Sequence, residues 1–269
     1  MAENKQEWLA GPSSDCCLSN HMHQGSPRGI FQNVAGLETY ISRPSEKKKE
    51  NGHVVLYFPD VWGMFKNGLL IMDSFADAGY LVIGPDYFRG DPVWKHRKDR
   101  HDKTTEPDFD YEAWKAKHTS FADKQVPEWI RCVKQTFGGQ STKYACVGYC
   151  FGAPYVCDAL AKPPAGEAAC AVGAFAHPAF LKDRHFEQLD QPLFMSCAEV
   201  DHTFPTAARN KAVELCIDQG KTYHLQLFAG VEHGFALRGD MSKPYERWVK
   251  ETSLKGIADW FDFWLGLES

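Results

Sequence analysis

Short apolar runs recur along the chain at residues 38–42, 54–58, 80–84, 144–148, 171–176, 193–197 and 223–228, most of them β-rich and bounded by Gly, Pro or Asp. Each has the length of a strand. Between them lie longer stretches, 67–78, 111–136, 153–161, 206–219 and 245–265, in which apolar residues return at helical spacing. Strand therefore alternates with helix. The pattern predicts an α/β fold with a mostly parallel central sheet and helices on both faces. In such sheets the working residues sit on loops at the carboxyl ends of the strands.

Residues 1–30 break this rhythm, being polar and rich in Gly, Ser and Pro. They read as an arm laid over a single domain that runs from 31 to 269. A chain of 269 residues with 43% hydrophobic side chains is long enough for one large core. Its 35 acidic and 30 basic residues give a net charge of -5, so no cationic field invites nucleic acid. The N-terminus carries neither the basic start nor the apolar run of a secretion signal, and no later stretch has the apolar length of a membrane span. The expectation is a cytoplasmic protein. Nine cysteines are an odd number, and Cys146, Cys157, Cys170, Cys197 and Cys216 lie in apolar stretches, so they read as reduced packing residues. Cys16 and Cys17, near His21 and His23, match no standard zinc spacing. No metal and no cofactor is expected. The charged run at 94–103 reads as a solvated loop ahead of a helix.

The chemistry concentrates in Gly148-Tyr149-Cys150-Phe151-Gly152, where an apolar strand runs into helical sequence. In the serine form of this G-x-S-x-G pattern, the nucleophile occupies a sharp turn between strand and helix, with glycines where side chains would collide. Cysteine suits the same geometry, exposed at a helix N-terminus where free N–H groups favour a thiolate or an oxyanion. The α/β-hydrolase fold calls for two partners downstream, an acid and then a histidine, each on a loop after a later strand. Asp201 follows the run at 193–197, and His233 follows the run at 223–228. Taken singly, Asp201 reads equally as a helix cap and His233 as a surface histidine. Order and strand context together make Cys150, Asp201 and His233 the expected triad. His177 also opens at the carboxyl edge and reads as a buried structural histidine.

These residues resemble the dienelactone hydrolases, the carboxymethylenebutenolidase-like proteins, over residues 15 to 267. The resemblance also rests on Cys16-Cys17, on 23–27, on Pro59-Asp60-Val61-Trp62-Gly63, on 85–90, and on Asp201-His202 followed by Phe204-Pro205. The N-terminal arm is similar to that of the fungal branch. The family implies a monomeric or weakly dimeric enzyme without a cofactor that opens enol-lactones through a cysteinyl acyl-enzyme. It also implies an acidic residue beside the nucleophile, which falls on Asp60, and two substrate arginines, which fall on Arg89 and Arg238. Bacterial members commonly carry a glutamate where this chain has the shorter Asp60.

In the expected mechanism His233 takes the Cys150 proton while Asp201 fixes the imidazole. The oxyanion is held by the backbone N–H groups of Phe151 and Val61. Arg89 reads either as an anchor for a substrate carboxylate or as an ion-pair partner of Asp86 or Asp91. Trp62, Tyr149, Phe151, Phe204 and Phe235 surround the site in sequence, which predicts a pocket for a flat, conjugated or aryl ester or lactone. Other readings on the same site are thioester cleavage, C–C cleavage or release of a polyketide-like product in a fungal pathway. A non-catalytic binding protein on the same fold is the last.

Overall fold

The computed structural model describes residues 8–11, 22–46, 48–98, 102, 104–163, 166 and 168–266. Cys16, Cys17 and His21 lie outside the described residues. Among the described residues, eight strands form one sheet in the order β10-β9-β7-β6-β4-β5-β3-β2. These are β2 (Ile30–Val34), β3 (Leu37–Ser42), β4 (Val54–Phe58), β5 (Leu81–Pro85), β6 (Tyr144–Tyr149), β7 (Val172–Ala176), β9 (Leu193–Val200) and β10 (Tyr223–Glu232). Strands β5, β4, β6, β7, β9 and β10 run parallel, whereas β3 and β2 are antiparallel at one edge. The mostly parallel sheet expected from the alternation is therefore present. Its central strands β4, β6 and β7 are buried along their whole length, which is why they appear in the sequence as unbroken apolar runs.

The helices are α1 (Lys66–Asp77), α2 (Tyr111–Phe137), α3 (Ala153–Leu160), α4 (Asp183–Glu187), α5 (Thr206–Asp218), α6 (Phe235–Arg238) and α7 (Pro244–Leu265). Contacts link α1 to α6 and α6 to α7, and on the other side α3 to α4 and α4 to α5. Asp110 starts α2 by accepting a hydrogen bond from the Ala113 N–H at 2.9 Å. Gly266, at φ +75°, ends α7 in the left-handed conformation that glycine tolerates best. No helix among the described residues is long and apolar enough to cross a membrane.

Three short strands, like the short helices α4 and α6, have no counterpart among the expected elements. Strand β2 pairs with β3 across a turn at Ala35 and Gly36, both at positive φ. Its burial pattern, exposed for four of five residues, hid it from a search for apolar runs. Strand β1 (Trp8–Ala10) lies within the segment read as an arm. It pairs antiparallel with β8 (Leu181–Lys182), with Ala10 opposite Leu181, in a separate two-stranded sheet. Two and three residues carry too little periodicity to register as strands.

Candidate active site

The strand-to-helix turn after β6 is a tight one. Cys150 sits at φ +49° in a short 3-10 turn, Cys150–Gly152, that leads into α3. That backbone conformation costs a non-glycine residue about 1–3 kcal/mol and persists only where the surroundings enforce it. Both flanking glycines are required by packing. A Cβ on Gly148 would lie 2.5 Å from the Gly152 carbonyl oxygen, and one on Gly152 would collide with the Phe58 carbonyl at the end of β4. The turn is thereby wedged against the loop that follows β4. Contrary to the expectation of an exposed sulfur, Cys150 is 0% exposed. The next residue, Phe151, packs among the rings of Tyr87, Phe88 and Phe180, at 5.4, 5.1 and 5.2 Å between centroids. Cys132 is the more accessible thiol, so exposure does not set Cys150 apart from the other cysteines.

Asp201 and His233 are brought together from 32 residues apart. Asp201 is the first residue beyond β9 and His233 the first beyond β10. His233 Nδ1 lies 2.9 Å from Asp201 Oδ1 and 3.0 Å from Oδ2. An ionised carboxylate only accepts, so Nδ1 carries the hydrogen and the tautomer is fixed. Asp201 caps its own turn and not a helix: Oδ1 accepts from the N–H groups of Thr203 at 2.9 Å and Phe204 at 3.2 Å. The next helix, α5, begins at Thr206 without a side-chain cap. Burial alone would raise the Asp201 carboxyl. The His233 charge and hydrogen bond and the Thr203 hydroxyl outweigh it and hold the group well below the usual carboxylate range.

Thr203 is a site residue that the sequence reading missed. Its Oγ1 lies 2.7 Å from Asp201 Oδ1, 3.0 Å from His233 Nδ1 and 2.8 Å from the Pro178 carbonyl. A threonine two residues after an acid at a strand end is the only trace in the sequence, the signature of an Asx turn. His177 is the other buried neighbour. Its ring stands edge-on to His233, with centroids 4.9 Å apart, and 5.8 Å from Tyr149. Burial first, and then the His233 charge, push its pKa well below the ordinary histidine value, so the ring is neutral at pH 7.

The loop after β4 holds the remaining candidates. Asp60 Oδ1 accepts from the Trp62 N–H at 2.9 Å, and the Asp60 carbonyl accepts from the Gly63 N–H at 2.8 Å. Tyr87 donates its hydroxyl to the Pro59 carbonyl. Among the described residues the Val61 N–H takes no part in these bonds, while its carbonyl accepts from Val93 N–H at 3.1 Å. Asp60 and Arg238, both expected at the substrate, form a buried ion pair with each other across 178 residues. Gly234, at φ +95°, makes room for that guanidinium, since a Cβ there would fall 2.5 Å from Arg238 Nη2. Arg89 is exposed and lies over the Phe121 ring at 3.9 Å. A cleft of about 380 Å³ runs beside the histidine loop, lined by His233, Phe235, Arg238, Lys243 and Glu246 among others. Of the five aromatic candidates Phe235 lines it. Tyr149, Phe151 and Phe204 are core residues at 1–2% exposure, and Trp62 packs on Phe65 at 5.7 Å.

A parallel sheet with a strained turn after one strand, an acid after a second and a histidine after a third defines a hydrolase of the α/β type. The family model for the dienelactone hydrolase family matches residues 37–265, and the chain belongs to that family. It is 37% identical over 269 residues, the full length of both chains, to "Dienlactone hydrolase 1" of Gibberella moniliformis. It is also 32% identical to "Hydrolase tropI" of Talaromyces stipitatus over 93% of this chain and 96% of that one. The fold is shared with TT1662 of Thermus thermophilus, at TM-score 0.62 and 14% identity over 90% of this chain and 99% of that one. It is likewise shared with P91, described as a dienelactone hydrolase-like promiscuous phosphotriesterase from metagenomic libraries, at TM-score 0.61, 12% identity and 88% and 97% coverage.

Proposed function

We propose that this enzyme hydrolyses a lactone or ester bond through an acyl-cysteine intermediate on Cys150. The observation that carries the reading is the buried Asp201–His233 pair, 2.9 Å apart, at the same sheet edge as a cysteine held at φ +49°. With Nδ1 committed to Asp201, His233 has Nε2 left as the base that takes the thiol proton. The thiolate attacks the carbonyl carbon, and the oxygen that gains charge is held by the N–H groups of Phe151 and Val61. The C–O bond breaks as His233 returns the proton to the departing oxygen. Water, deprotonated by the same ring, then releases the acid and restores the thiol. Phe235 and Arg238, which line the cleft beside His233, are the substrate contacts this reading favours. Arg89 offers its charge at the surface to a substrate carboxylate.

Intact-protein mass spectrometry during turnover of an aryl ester or an enol-lactone tests the reading. The expected result is a transient adduct of acyl mass that maps to Cys150 and is absent from Cys150→Ala. Turnover by Cys150→Ala at the wild-type rate, or an adduct on another residue, overturns it.

A further inference from the structure

The segment that precedes the domain in sequence touches both halves of this site. Gly11 donates its N–H to the Thr203 carbonyl at 2.6 Å and accepts from the Phe180 N–H at 2.9 Å. One residue thus bonds on one side to the acid loop and on the other to the loop after β7. Each contact continues inward. Thr203 Oγ1 reaches Asp201 and His233, at 2.7 and 3.0 Å. Next to Phe180, the Ala179 N–H donates to the Cys150 carbonyl at 3.1 Å, and the Phe180 ring meets Phe151.

The segment is seated in the fold by several contacts. Leu9 and Ala10 are buried at 3% and 0%, Trp8 stands edge-on to Phe180 at 6.2 Å, and Lys182 Nζ lies 4.7 Å from the Trp8 ring centre. The loop that it braces holds two residues at positive φ, His177 at +37° and Phe180 at +60°. Such strain persists only where neighbouring structure over-determines the backbone.

We propose that strand β1 with Gly11 is a positioning element of the active site, fixing the acid loop and the nucleophile turn at their working separation. This rests on the triad reading above. Displacing a catalytic group by about 1 Å costs on the order of 10²-fold in rate, so a brace on two loops acts on kcat more than on KM.

The test compares Gly11→Pro, which lacks the N–H given to Thr203, with Gly11→Ala, which keeps it. A Cβ at position 11 meets only the Thr203 carbonyl oxygen, at 3.9 Å, an ordinary contact. The expected result is a kcat about 10- to 100-fold lower in Gly11→Pro, with KM within about threefold and the folded fraction unchanged by circular dichroism. Gly11→Ala should match wild type. A kcat in Gly11→Pro equal to that of Gly11→Ala, or a loss that follows the folded fraction alone, overturns the proposal.

Leu9→Ala in the full-length chain, which loosens the buried seat of the strand, covers the case in which Gly11→Pro unfolds. A lower kcat at unchanged KM and folded fraction supports the brace. A wild-type kcat overturns it. Failure of the triad reading has a different signature, turnover that no longer needs Cys150 in the full-length chain.

Discussion

Two buried carboxylates stand on loops at the same edge of the sheet, and their partners differ. Asp201 faces His233, an imidazole, the kind of side chain that serves as a general acid or base. Asp60 faces Arg238, a guanidinium that keeps its charge at every pH the protein will meet. Both pairs span long stretches of sequence and both are closed to solvent. What differs is the proton. In the proposed mechanism the first pair stabilises an imidazolium that exists for part of a catalytic cycle, whereas the second ties the loop after β4 to the helix α6.

The largest expected effects lie in activity, at the first pair. Asp201→Asn keeps the size of the side chain but lets Nδ1 act as an acceptor, so the wrong tautomer becomes available. We expect kcat to fall about 10⁴-fold, the scale seen when a triad acid is neutralised elsewhere, with a smaller loss of stability at neutral pH than Asp60→Asn causes. Asp60→Asn should do the reverse. It leaves Arg238 charged and buried without its counter-ion, which costs about 3–5 kcal/mol of stability. Replacing both, as Asp60→Leu with Arg238→Met, should recover most of that loss, because an apolar pair of similar volume replaces a desolvated one. The contrast between the two carboxylates breaks if Asp60→Asn abolishes turnover at full stability. In that event Asp60 belongs to the chemistry.

A smaller effect sharpens the same contrast. Thr203→Val keeps the shape of the side chain and removes the hydroxyl that lies against both Asp201 and His233. A hydrogen bond to a charged group contributes about 1.5–3 kcal/mol, so kcat should fall about 10- to 100-fold. Thr203→Ser should stay near wild type. Equal activity in Thr203→Val would mean that the Asp201–His233 pair keeps its geometry without the hydroxyl.

Much of this arrangement was legible before the fold was seen, for physical reasons that vary by residue. Buried parallel strands leave unbroken apolar runs, and the glycines beside Cys150 are dictated by backbone collisions, so the turn and its strand are written locally. Asp201 and His233 were found because each follows a strand directly. The Asp60–Arg238 pair was not, since nothing local records a contact across 178 residues. The family resemblance sets Asp60 beside the nucleophile and Arg238 at the substrate and says nothing of the bond between them. The burial of Cys150 also escaped, because the rings packed on its neighbour Phe151 come from the loops after β5 and β7, distant in sequence. Gly11 looked like part of a featureless arm, and its two hydrogen bonds are backbone ones that leave no side-chain trace.

The smallest effect is one of pH, and it asks whether the Asp201 pair is linked to a proton as its partner implies. The Asp201 carboxyl is held below its ordinary value in the folded state, by the His233 charge and hydrogen bonds working against burial. A depressed carboxyl contributes stability that is fully present above the unfolded value, near pH 3.9, and is lost as pH falls toward the folded one. The unfolded chain takes up its proton first, and so acid favours unfolding. A single proton limits the slope to about 1.4 kcal/mol per pH unit. Asp201→Asn has no such proton to take up, so the stability gap between wild type and this variant should narrow below about pH 4. His233→Gln removes the main lowering influence while keeping the acid, and its acid limb should be intermediate. Urea unfolding at several pH values between 5 and 2.5 reads these slopes directly. Parallel acid limbs for wild type and Asp201→Asn would mean that the fold does not hold the Asp201 carboxyl below its ordinary value, and the distinction between the two pairs would have to rest on activity alone.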